Sequence, residues 1–182
     1  PPPPPPISCP GAHRDIHCTC RRQRQVYKRQ LIEPDELLGV LNKQKGKIIV
    51  TSGPTYEEID DVKVVTNKSS GKQGRALAIE LSARGYEIIY IHSASIDHIP
   101  GLDNVSFHSS NDLKNKILEN INNTDAIFMT AAVSDFTVKK SSGKISRSNG
   151  NITLEFIPNE DIIATIKTSY PEIKCIAFSA QV

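Results

Sequence analysis

No apolar run in this 182-residue chain approaches the ~20 residues that a membrane-spanning helix requires. Nor does its N-terminal stretch contain the apolar core of a secretory signal. Cysteine is scarce where a fold would use it: Cys9, Cys18 and Cys20 lie in the first 30 residues, and only Cys175 falls in an expected strand. That distribution argues against a disulfide framework and for a reducing, cytoplasmic setting. Basic character is also missing where it would matter. The net charge is +2, but residues 1–30 carry +5 and the remainder −3, so the body has no nucleic-acid signature. Methionine occurs once, as Met129, and the first residue is Pro1.

The first 30 residues lack the pattern of a folded element. Six consecutive prolines favour extended polyproline. His13, His17, Cys18 and Cys20 crowd together without a second half-site, which argues against zinc. Residues 1–30 are therefore expected to be a disordered or non-native leader, and 31–46 a linker. Within the linker, Glu33-Pro34-Asp35-Glu36 has the Pro and acids of a helix first turn.

From residue 47 to 182 the sequence reads as one nucleotide-binding domain, organised around Lys47 to Gly85. Ile48-Ile49-Val50 is a short, β-branched apolar run, the mark of a buried strand. Gly53-Pro54 stops it. Ser70 and Gln73 fit a capping box, Ala76, Ile79 and Ala83 share one helical face, and Gly85 ends the helix. A strand, a Gly-containing loop and a helix start together aim backbone N–H groups at a phosphate. Two common versions are excluded. A P-loop would need Gly where Thr66 stands and a hydroxyl where Gln73 stands. A dinucleotide fingerprint would need its glycines packed directly after the strand, whereas a long loop separates Gly53 from Gly71.

Further strands are expected at Glu87 to Ile91, Val105 to His108, Asp125 to Ala132, Ile152 to Phe156 and Ile173 to Phe178. Helices are expected at Asp112 to Ile121 and after Asn159, which is placed to cap. Alternation of strands and helices implies a mainly parallel sheet with ligands at the strand carboxyl ends, where Gly53, Ala131 and Phe178 fall. Phe136 to Asn151 is polar and basic and reads as a mobile flap without a packing face. Val182 follows the last strand where a helix would normally continue, so truncation is expected there.

Four pieces in order, Gly53-Pro54-Thr55, Asn67 to Lys72, Ala131 to Phe136 and Asn159 to Ile162, resemble the phosphopantothenate–cysteine ligase family. In bacteria this ligase is usually the C-terminal half of a bifunctional protein whose other half is a decarboxylase. The resemblance covers Leu31 to Phe178 and implies an α/β, Rossmann-like three-layer fold. It implies a ligase that joins 4'-phosphopantothenate to cysteine with CTP and Mg²⁺ through an acyl-cytidylate, in a homodimer. FMN would belong only to the decarboxylase half, whose residues are absent here. By position Asn67 matches the asparagine that acts on the acyl-cytidylate, and Lys144 a flap lysine that contacts nucleotide across a dimer. Ser69, Ser70 and Gly71 match the phosphate turn, Asp135 a ribose contact and Ala131 a base contact. Gly53, Asn159, Asp161, Ile162 and Phe178 match further nucleotide contacts. No metal ligands are assigned.

Two departures stand out: Lys144-Ile145-Ser146-Arg147 replaces a Lys-x-Lys-Lys flap, and Gln181 replaces a common Glu. The alternatives are a nicotinamide-dependent reductase and a non-catalytic nucleotide-binding module. Against the first, no acid closes the second strand, which runs into His92.

Overall fold

A computed structural model describes residues 46–178; the leader, the linker before Gly46 and the end including Gln181 lie outside the described residues. Five strands form a parallel sheet: β1 (Lys47–Ser52), β4 (Glu87–Ser93), β5 (Asp103–Phe107), β6 (Thr124–Met129) and β9 (Lys174–Ala177). Their order is β5-β4-β1-β6-β9, and every pairing is parallel. The α/β class and the parallel sheet are thus as expected. The chain direction from β1 reverses between β4 and β6, so the β1/β6 carboxyl ends are the switch point at which such sheets take ligands.

Burial explains the layers. Ile48, Val50, Ile88, Tyr90, Ala126 and Phe128 point to one face, where α1 (Lys72–Ala83) covers them with Ala78 and Leu81. Ile49, Ile89, Ile91, Ile127 and Met129 point to the other. There α2 (Ser110–Asn120) and α3 (Ile162–Ser169) bury Leu113, Ile117, Ile162 and Ile166. The alternation within each strand is the period-2 pleat filled on both sides.

The α1 reading needs correction. Its buried face is Gly74, Ala78 and Leu81, whereas Ala76, Ile79 and Ala83 are exposed, Ile79 by 47%. Gly74 decides this, because a Cβ there would meet the Ser52 side chain at 2.8 Å and collide with the Thr130 hydroxyl. The side without a side chain is the side that can lie closest to the sheet. The expected Ser70–Gln73 capping box is also absent: the cap residue is Gly71, left-handed at φ 66°, with no side-chain cap. Gly85 does end the helix, at φ 89°, donating to the Ser82 carbonyl at 2.8 Å.

Two small antiparallel pairs flank the sheet. β2 (Tyr56–Glu58) pairs with β3 (Val64–Thr66), and β7 (Phe136–Val138) with β8 (Phe156–Pro158). The strand expected at Ile152 to Phe156 therefore begins only at Phe156. Partner register, in which Val138 opposes Phe156, overrides the local alternation. The strand expected to reach Ala132 ends at Met129.

The basic flap also differs from expectation, because it docks on its own chain's β2–β3 hairpin. The Ser141 amide donates to the Ile59 carbonyl at 2.9 Å, and the Gly143 amide to Asp61 at 2.9 Å. Lys140 pairs with Glu58 at 2.8 Å and with Asp61 at 3.2 Å. Glu58, then Asp61, pushes the Lys140 pKa up.

Candidate nucleotide site at the β1 and β6 strand ends

Beyond the sheet, the chains leaving β1 and β6 continue side by side. Gly53 turns at φ 91°; its carbonyl accepts from the Ala132 amide at 2.9 Å, and the Thr55 amide donates to the Ala132 carbonyl at 3.3 Å. Pro54 forms a parallel bridge with Ala132. The Thr55 hydroxyl accepts from the Ser134 amide at 3.0 Å. The Phe178 amide ties the end of β9 to the Met129 carbonyl at 3.0 Å.

Asn67 closes this platform. It follows β3 directly, and its amide nitrogen donates to the carbonyls of Ala132 (3.2 Å) and Val133 (3.0 Å). Both neighbours are acceptors, so the amide must present its NH₂ to them. Asn67 is exposed, and its Oδ1 accepts no bond among the described residues. That oxygen is available to a ligand.

The turn before α1 is built on Ser52, whose hydroxyl donates to the Gly71 carbonyl at 2.8 Å. Ser69 accepts weakly from the Gly71 amide at 3.4 Å, while Ser70 is exposed. With no side-chain cap and no acid in its first turn, α1 leaves its leading N–H groups open. Such donors, the helix dipole and the exposed Lys68 and Lys72 together suit an anion.

Ile96, unremarked in the sequence, joins the two glycine turns. A Cβ on Gly53 would meet Ile96 Cγ1 at 2.8 Å, and one on Gly71 would meet Ile96 Cδ1 at 2.9 Å. Ile96 thus lies against both turns, with Ser93 also crowding Gly53 and Ser52 also crowding Gly71. Arg75 secures that loop, donating to the carbonyls of Asp97 (2.9 Å) and His98 (3.2 Å). Its signal in the sequence was nil, since Ile96 lies in an irregular loop between β4 and β5.

The remaining expected residues divide into two groups. Asp135 is exposed beside the platform, and its carbonyl accepts from the Asn159 amide at 2.9 Å. The Asn159 side chain donates to the Ser134 carbonyl at 3.0 Å, so Asn159 is not the helix cap that was expected. Asp161 caps α3 instead, accepting from the Ala164 amide at 3.0 Å, and Ile162 is committed to the core. The Ala131 amide is already taken by the Thr51 hydroxyl at 3.2 Å, which leaves its carbonyl for a ligand. Lys144 stands apart on the docked segment, exposed and with no ion pair among the described residues. No group of three or more His, Cys, Asp or Glu among the described residues could hold a metal ion. No helix of the described residues is long and apolar enough to cross a membrane.

Tyr170 and Lys174 have the Tyr-x3-Lys spacing of a reductase pair. Tyr170 ends α3 and Lys174 opens β9, so the two do not stand one turn apart on a single helix.

Comparisons with known proteins bear on the family and the fold. The model of the DNA/pantothenate metabolism flavoprotein C-terminal domain matches residues 43–182. The coenzyme A biosynthesis bifunctional protein CoaBC of Bacillus subtilis (strain 168) is 32% identical over 169 residues, which is 86% of this chain and 42% of that protein. The chain thus spans about two fifths of that relative's length. The bifunctional protein CoaBC of Methanocaldococcus jannaschii is 30% identical over 141 residues, 78% of this chain and 35% of that protein. Among solved structures, the C-terminal domain of a CoaBC protein superposes with a TM-score of 0.65 at 29% identity, covering 76% of this chain and 66% of that one. This chain belongs to the family of DNA/pantothenate metabolism flavoprotein C-terminal domains.

Proposed function

We propose that this domain is a phosphopantothenate–cysteine ligase of coenzyme A biosynthesis, using CTP to join 4'-phosphopantothenate to cysteine. The observation that carries the reading is the uncapped start of α1, open to an anion beside Asn67 at the switch point of the sheet. Family membership and the name of the Bacillus subtilis relative support it.

In the first step a carboxylate oxygen of phosphopantothenate attacks the α-phosphorus, and the bond to pyrophosphate breaks. In the second the cysteine amine attacks the acyl carbon, CMP leaves, and the amine proton goes to solvent. Such chemistry needs placed cations and N–H donors more than a strong base. The Ser69–Ser70–Gly71 turn and the α1 N-terminus receive phosphate oxygens. Gly53, the Ala131 carbonyl, Asp135, Asn159, Asp161, Ile162 and Phe178 form or support the walls for base and ribose. Lys144 supplies a cation to the triphosphate. Asn67 accepts from the incoming amine through its free Oδ1 while its NH₂ stays on the platform. Mg²⁺ bound with the nucleotide would supply charge neutralisation to the triphosphate. The domain works as a homodimer, a reading supported by exposed Phe136, Phe156, Ile157 and Val64 on the two small sheets.

Calorimetric titration with CTP, ATP and NADPH, each with Mg²⁺, tests the nucleotide assignment. CTP should bind in preference to both others; binding of NADPH alone would replace this reading with a reductase.

A further inference from the structure

The hairpin that connects β2 to β3 contains a carboxylate whose surroundings the proposed chemistry does not require. The Asp60 side chain is fully buried, yet nothing in its position belongs to either hydrophobic core. It accepts from the amides of Val62 and Lys63, each at 2.7 Å, and from Lys63 Nζ at 2.7 Å. Its fourth donor is the amide of Ile145 at 3.0 Å, from 85 residues further along the chain. The same Lys63 ammonium donates to the Ile145 carbonyl at 3.3 Å. Both backbone groups of Ile145 are thereby held by one ion pair, and Ile145 is the residue next to Lys144.

A buried carboxylate persists as an anion only where donors replace its lost water. Asp60 has four, led by the Lys63 ammonium, and they hold it well below the usual carboxylate range. The contacts of the neighbouring segment are of another kind. Lys140 pairs with Glu58 and Asp61 on the exposed surface, where such pairs contribute little. Among the described residues, Asp60 is the one tie between hairpin and flap that is both charged and shielded from water. At the other end of this hairpin stands Asn67, after β3. One short element thus carries Asn67 covalently and Lys144 through Asp60.

We propose that Asp60 is a positioning residue: through Lys63 and Ile145 it fixes the Lys139–Arg147 segment, and with it Lys144, at a set distance from Asn67. The positioning role rests on the ligase reading, whereas the anchoring does not. Asp60 itself touches no substrate in this scheme. It acts through Lys144, by removing the conformational freedom that a polar segment would otherwise retain.

The segment carries four trypsin sites, Lys139, Lys140, Lys144 and Arg147, which give a readout separate from activity. In the purified chain, Asp60→Asn should raise cleavage in this segment by about tenfold or more at unchanged circular dichroism. It should also weaken CTP binding in the presence of Mg²⁺ by about tenfold, as expected for loss of a charge-assisted contact. The decisive comparison is the double variant. Lys144→Ala should weaken CTP binding about tenfold in the parent but less than about twofold in Asp60→Asn, because the two act through one contact. Unchanged cleavage in a folded Asp60→Asn chain overturns the anchor, and additive effects on CTP overturn the route through Lys144. If Asp60→Asn does not fold, Lys63→Gln decides by the same cleavage assay, with unchanged cleavage again overturning the anchor. A parent chain that binds no CTP would overturn the ligase reading alone, and the cleavage result would still decide the anchor.

Discussion

The parallel sheet and the hairpin–flap arm beside it are held together by different forces. The three central strands β4, β1 and β6 bury apolar side chains on both faces, and twelve core residues on the α2/α3 side, from Ile49 to Ile173, form one contiguous cluster. The arm buries almost no apolar surface of its own; Val62 and Ile152 are among its exposed residues. Carboxylates and lysines hold it instead. Hydrophobic packing is indifferent to pH and to modest salt, whereas ion pairs respond to both. The difference puts the proposed reacting groups, Asn67 and Lys144, on the part whose order can be adjusted without endangering the fold.

The largest effect should come from the sheet. Phe128→Ala removes a ring with no exposure from β6 and should cost about 3–5 kcal/mol, read as a drop in denaturant midpoint. Lys140→Ala, in the arm, should cost less than about 1 kcal/mol in the same assay. Comparable losses would mean that the two regions are not held differently.

Next in size is Asn67→Asp. In an active form of the enzyme it should leave CTP binding and pyrophosphate release largely intact. Conversion of the acyl-cytidylate should slow by about 10²-fold or more, because the side chain loses the hydrogens that hold it on the platform and with them its aim at the amine. The carboxylate would face the Ala132 and Val133 carbonyls without a hydrogen to give them. Wild-type rates of product formation in single-turnover experiments would remove Asn67 from the mechanism.

A smaller, local effect should follow acidification. Asp60 has its pKa lowered in the folded chain, so its contribution is present above the ordinary Asp value of about 4 and is lost as pH falls below it toward the folded value. Amide exchange in residues 139–147 should therefore accelerate below about pH 4 before exchange in β1 and β6 changes. Simultaneous acceleration in both would count against independent cohesion of the arm.

The smallest effect concerns a flaw within the sheet itself. The Tyr90 hydroxyl is buried without a hydrogen-bond partner among the described residues. Burial raises its pKa, and the nearby Ser52 hydroxyl, which would lower it, gives its own proton to the Gly71 carbonyl. Tyr90→Phe should accordingly leave the melting temperature unchanged or raise it slightly, since an unsatisfied polar group costs about 1–3 kcal/mol. A marked loss of stability would show that the hydroxyl has a partner after all.

What could be read in the sequence follows the same division. The parallel strands were legible because Ile48 to Val50 and Ile88 to Ile91 are apolar enough to be buried on both faces, and the position of Gly53 at a strand end followed from that. The buried face of α1 was not, since Gly74, Ala78 and Leu81 compete with Ala76, Ile79 and Ala83 at similar spacing. Only the approach of Gly74 to Ser52 and Thr130 decides between them. Asn159 and Asp161 are both competent caps two residues apart, and the one nearer the first buried position, Ile162, prevailed. The docking of the flap was illegible for a third reason. Asp60 and Ile145 meet across 85 residues through a backbone amide, and a backbone amide carries no residue-specific signal.

Ile96 carries a last consequence. It stands between Gly53 and Gly71, so the gap between the two turns is the thickness of one aliphatic side chain. Protein interiors resist compression as molecular crystals do, so that gap behaves as a fixed dimension. Among related domains, the spacing of the two glycine turns would then be inherited through whichever residue occupies this place. Turn spacing and the residues of each turn could diverge separately.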